Sequence, residues 1–96
     1  MTEFYEQVKE RLMRYARINT ESDPHSTSVP TTSCQHDLAS VIYEELQEIG
    51  ATNVYYDKDT CVVYGSLEAN VKTGRAIGFV THMDTAPDAS GKDVKP

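Results

Sequence analysis

Ile77-Gly78-Phe79-Val80 carries no polar side chain at any of four consecutive positions. Successive side chains of an extended backbone point to opposite faces, so both faces of this segment need cover. A strand with that requirement sits in the middle of a sheet with helices above and below it, which directs the chain to the α/β class. Ala76 to His82 is the segment predicted to form it.

The remaining elements follow from periodicity. Phe4, Val8, Leu12 and Tyr15 recur at helical spacing between charged residues, so Glu3 to Arg17 is predicted as an amphipathic helix. Thr2 can cap its start, and Arg14 and Arg17 suit the negative end of its dipole. Ile18 to Ser33 turns to Ser, Thr, Asn, Asp and Pro, and reads as a loop longer than most connections. Its composition points to a surface excursion. Thr32 and Gln35 have capping-box spacing, and Leu38, Val41, Ile42, Leu46 and Ile49 mark one buried face of a second helix ending at Gly50. Asn53 to Asp57 and Cys61 to Leu67 are rich in β-branched and aromatic residues and read as strands, joined through Asp57-Lys58-Asp59-Thr60 as a hairpin. Tyr55 and Tyr56 are assigned to packing. Glu68 to Arg75 reads as an exposed connection, and Thr85 to Pro96 as a final loop. There is no internal repeat and no low-complexity tract.

Composition narrows the function classes. The 96 residues include 15 Asp and Glu against 9 Lys and Arg, a formal charge of −6, and the basic residues are scattered. Binding to nucleic acid needs a surplus of cations to displace counterions, so nucleic acid is not an expected partner. No run approaches the roughly 18 apolar residues of a membrane span, and the acidic start is unlike a signal peptide. No membrane partner and a cytoplasmic location are expected. Cys34 and Cys61 form no CxxC pair, so both are expected as free thiols.

Chemistry concentrates in Thr81-His82-Met83-Asp84-Thr85. Residues two apart in an extended backbone share a face, so His82 and Asp84 leave the carboxyl end of the predicted strand together. Ligands bind at that edge of open α/β sheets. Imidazole is a common metal ligand, and a carboxylate beside it fixes its tautomer and raises its basicity. Taken alone, such a triplet is more often an accident of composition, with the histidine at the surface or bonded to a nearby carbonyl. A catalytic zinc site also needs about three protein ligands. His25 falls in the Ser/Pro loop and His36 in the first turn of the second helix, where their default roles are a loop polar residue and an exposed helix residue. Ser26, Ser28, Thr31 and Thr32 lie in no nucleophile elbow, there is no phosphate-binding glycine loop, and neither cysteine has an adjacent basic residue.

In order along the chain, Val29-Pro30-Thr31-Thr32, Glu45-Leu46-Gln47-Glu48-Ile49-Gly50, the run Ile77 to Asp88 and Gly91-Lys92-Asp93-Val94-Lys95-Pro96 resemble the opening of the peptidase T family. These are bacterial tripeptide aminopeptidases among the co-catalytic zinc exopeptidases. The His-Met-Asp-Thr-x-Pro-Asp string, His82 to Asp88, is the most specific part. The resemblance implies an α/β fold with two helices packed on a small sheet, in the order helix, helix, strand, strand, strand. Residues 1–96 would be the N-terminal portion of the catalytic domain, without its remainder and without the lid and dimerisation domain. His82 would ligate one of two zinc ions and Asp84 would be the catalytic carboxylate that orients it. The bridging Asp, the Glu-Glu pair, a further acidic ligand and a distant His would lie downstream. The implied reaction is release of the N-terminal residue from tripeptides, with a hydroxide held between two metals attacking the scissile carbonyl. Cys34 and the Thr60-Cys61 pair depart from the family pattern, each standing where a glycine is expected.

Three further expectations follow from this reading. The 96 residues alone would hydrolyse no peptide and hold zinc weakly or not at all. A homo-oligomer would form through the exposed edge of the 76–82 strand. The alternatives are a non-catalytic, self-associating interaction module derived from the enzyme, and a small metal-binding protein using His82, Asp84 and Asp88.

Overall fold

The computed structural model describes residues 2–72 and 74–96, in the order α1 (Thr2–Arg17), α2 (Gln35–Glu48), β1 (Thr52–Asp57) and β2 (Val62–Ser66). Two helices and a two-stranded antiparallel sheet make an α/β arrangement. Among the described residues no helix is long and apolar enough to cross a membrane.

The core lies where α2 meets the hairpin. Leu38 and Ala39 are buried there with Cys61, while Val41, Ile42 and Leu46 are half-buried and Ile49 is exposed. The buried face is therefore shifted toward the start of the helix relative to the five residues that periodicity selects. At its other end the helix stops as the sequence predicts. Gly50 takes φ 87, its N–H donates to the Gln47 carbonyl at 3.2 Å, and the Ala51 N–H donates to the Leu46 carbonyl at 3.0 Å. This closes off the last carbonyls with a left-handed residue that glycine adopts without a Cβ penalty. The start differs from expectation. Cys34 occupies the cap position with helical dihedrals and no side-chain bond to the helix. Gln35 instead donates from Nε2 to the Thr32 hydroxyl at 3.0 Å, and Thr32 donates to the Glu21 carbonyl at 2.7 Å. The capping box is not formed because Thr32 is committed to the preceding loop.

The hairpin turns through residues 58–61, with the Asp59 N–H on Asp57 Oδ1 at 3.1 Å. Cys61 has φ 57, the conformation a glycine would take up at this position most easily. Pairing of Thr52 with Ser66 and of Tyr55 with Tyr64 leaves two residues of β1 opposite one of β2, a bulge in which Asn53 has φ 51. Tyr55 and Tyr64 stack across the strands with ring centroids 6.2 Å apart. Tyr56 turns to α2, where its hydroxyl meets His36 Nδ1. His36 is thus a half-buried link between helix and hairpin and not the exposed helix residue that its position suggests.

Two further expectations fail. Residues 76–82 form no strand: Ile77, Phe79 and Val80 are 85%, 93% and 101% exposed. β1 and β2 pair with each other, and among the described residues no third strand offers this segment a hydrogen-bonding edge. A central strand takes its conformation from its neighbours, so apolar character alone does not produce one. The 68–75 connection is exposed as expected, with residue 73 lying outside the described residues. The second failure concerns packing. α1 is helical as predicted, yet Phe4, Val8 and Leu12 remain exposed, and the helix is held near its carboxyl end, where Arg14 and Tyr15 both bond the Glu45 carboxylate.

Candidate functional site

The loop between the helices is not a loose excursion. Thr20, Glu21 and Ser22 run alongside Met83, Asp84 and Thr85, joined by a short parallel bridge between Glu21 and Thr85. The Thr85 N–H donates to the Thr20 carbonyl at 3.1 Å, and the Ser22 N–H donates to the Thr85 carbonyl at 2.9 Å. Thr20, 3% exposed, donates its hydroxyl to the Met83 carbonyl at 2.9 Å, so its polar atom is satisfied where it is buried. Glu21 accepts the Gly91 N–H on Oε1 at 3.0 Å. A Cβ on Gly91 would stand 2.9 Å from Asn19 Oδ1, so a side chain there would require the Asn19 amide, which accepts the Glu21 N–H at 3.1 Å, to shift.

This clasp fixes the backbone that carries His82 and Asp84. The two side chains lie together: His82 Nδ1 is 2.9 Å from Asp84 Oδ1 and 2.9 Å from the Asp84 carbonyl oxygen. Both partners are acceptors, so Nδ1 carries the proton and donates, and in the neutral ring Nε2 keeps its lone pair. The His82 side chain is 83% exposed. The His82 ring first, and the Ser22 hydroxyl second, hold the Asp84 carboxyl below its ordinary pKa. The arrangement is an imidazole with a fixed tautomer and one nitrogen free for an electrophile or a proton.

The pairing expected from two-residue spacing is therefore present, although it is carried by an irregular segment and not by a strand end. Among the described residues no three His, Cys, Asp or Glu side chains converge as a metal-binding group, so Asp88 does not complete one with His82 and Asp84. His25 is exposed in the loop, with its N–H on Asp23 Oδ1 at 2.9 Å. Cys34 and Cys61 are free thiols. Sequence reasoning missed Thr20, Glu21 and Ser22, whose residue types are common in any loop and whose partners lie more than sixty positions away.

No family model matches the chain. Curated sequences do. A protein named peptidase T from Alkaliphilus oremlandii is 44% identical over 90 residues, covering 91% of this chain and 22% of that protein. Proteins of the same name from Geobacillus kaustophilus and Clostridium acetobutylicum are 46% and 45% identical over 92 residues, covering 95% of this chain and 22% of each. The chain is related to peptidase T. It spans about a fifth of the length of the peptidase T relatives it matches. The donor set described above suits a single imidazole ligand to a metal, since Nε2 is free and Nδ1 is occupied by acceptors.

Proposed function

We propose that this chain forms the N-terminal portion of the catalytic domain of a zinc-dependent aminopeptidase acting on tripeptides, with His82 as a metal ligand through Nε2 and Asp84 as the carboxylate that orients it. The observation that carries the reading is the double acceptor on His82 Nδ1, which leaves Nε2 unprotonated and exposed. Bound zinc would polarise a peptide carbonyl and activate water. The chain's own share is to hold the imidazole in one tautomer, to keep the Asp84 carboxylate ionised, and to anchor both on the clasp made by Thr20 to Ser22. The 44% to 46% identity to peptidase T supports the reaction class, and the 22% coverage supports a site whose other ligands come from further sequence.

The test is a graft in which residues 1–96 replace the matching segment of a peptidase T relative. The graft is expected to hydrolyse tripeptides, His82→Ala to abolish hydrolysis and lower zinc content, and Asp84→Asn to lose about 10- to 100-fold in zinc affinity. Retention of full activity and zinc by His82→Ala would remove the reading. The 96 residues alone are expected to hydrolyse no tripeptide.

A second observation favours self-association of this chain. Ile77, Phe79 and Val80 leave their apolar side chains almost wholly exposed in a segment outside any strand, a surface that another copy of this chain would cover. Light scattering is expected to show species larger than a monomer, and Phe79→Asp to reduce them.

A further inference from the structure

We propose that the exposed apolar segment Ile77 to Val80 of one copy docks along the apolar stripe of α1 in a second copy, the reverse contact completing a two-fold dimer. The inference rests on the self-association proposed above and names the surface that covers each segment. Phe4, Val8 and Leu12 lie four residues apart and share one stripe of α1, yet they are 66%, 48% and 67% exposed. The helix is tied to α2 beyond that stripe, by Arg14 and Tyr15 on Glu45. The segment and the stripe are both uncovered within one chain, so what covers them comes from another molecule. The radius of gyration, 15.4 Å against about 13 Å for a compact chain of this length, agrees with surfaces that project.

The two surfaces match in length and chemistry. Phe4 to Leu12 covers about 12 Å of helix, and Ile77 to Val80 reaches about 10 Å when extended. Residues 76–81 carry no charged side chain, so docking buries no charge under the helix. At 3.6 residues per turn, Lys9 and Arg11 fall on either side of the stripe and stay at the rim. Covering the six apolar residues removes roughly 800 Å² from water on each copy, the share that each partner of a standard-size specific interface buries. Two segments that met each other instead would bury roughly 500 Å² per copy and leave both stripes in water.

The experiment mixes two variants of the full chain and reads mass by light scattering. Val8→Lys and Phe79→Asp, each checked for native helix content by circular dichroism, are expected to weaken dimerisation about tenfold or more when alone. Mixed in equal amounts they are expected to recover dimer, because the pair keeps one intact contact and sets Lys against Asp in the other. Native-level dimer in Val8→Lys, or no recovery on mixing, would overturn the inference. If Val8→Lys dimerises while Phe79→Asp does not, self-association through the segment stands without this partner surface, whereas a monomeric native chain removes both. Should a variant lose its helix, cross-linking decides. A chain carrying Lys9→Cys, Gly78→Cys and Cys34→Ser, with Cys61 buried and open space around the Gly78 Cβ position, is treated with a short bismaleimide. The expected product is two chains joined between positions 9 and 78. A link within one chain, or links mainly between two copies of position 78, would overturn the inference.

Discussion

Cys61 is 5% exposed, and its φ of 57 places it where a residue with a Cβ costs about 1 to 2 kcal/mol. Burial raises the Cys61 thiol above its ordinary pKa, and burial, followed by the nearby Cys61 charge, raises the Tyr56 hydroxyl as well. Both groups are neutral in the folded chain at pH values where their unfolded counterparts begin to lose protons. Stability is therefore expected to fall as pH rises from about 8.5, the ordinary thiol value, with Tyr56 adding its share from about 10. Thermal midpoints between about pH 7.5 and 11 check this, a range that spans both onsets. Cys61→Ala is expected to flatten the lower part of that decline, and an equally steep decline would count against the thiol as its cause. At this scale the sequence showed His82 and Asp84 together because a two-residue spacing is visible locally. Ser22 was hidden, since nothing in its neighbours indicates a partner at Thr85.

Among the elements, α2 shows what local signals can specify. Its last turn closes on Gly50, and nothing lies within 4 Å of the position a Cβ would take there. Gly50→Ala is therefore expected to cost about 1 kcal/mol through backbone conformation alone, measured by urea denaturation with an unchanged slope. A cost near zero would mean that the helix end does not depend on the left-handed residue. Both helices were legible from 3.6-residue periodicity and the hairpin from its β-branched runs and turn. The segment at 76–82 was not, because a strand is a property of a pair and its partner is not encoded in its own residues. The capping box failed for a similar reason, with Thr32 drawn to the Glu21 carbonyl by a contact outside the helix.

For the molecule as a whole, apolar surface is unevenly covered. A groove of about 710 Å³ runs between α1, α2 and the 81–94 segment, lined in part by Leu12, Ile18, Leu38, Ile42 and Met83. Chymotrypsin is expected to cut first after Phe79, whose side chain is 93% exposed, and later after Tyr56, which is half-buried in the hairpin. Early cleavage at Tyr56 would show that the hairpin opens more readily than its packing implies. The bridge between Glu21 and Thr85 has one more effect on the whole chain. It encloses α2 and the hairpin within a single ring of main chain, so the entropy of drawing its ends together falls once those elements are compact. Order at the imidazole is thereby inherited from the folding of everything between the two ends, and a lesion in the distant hairpin can blur the site without touching it.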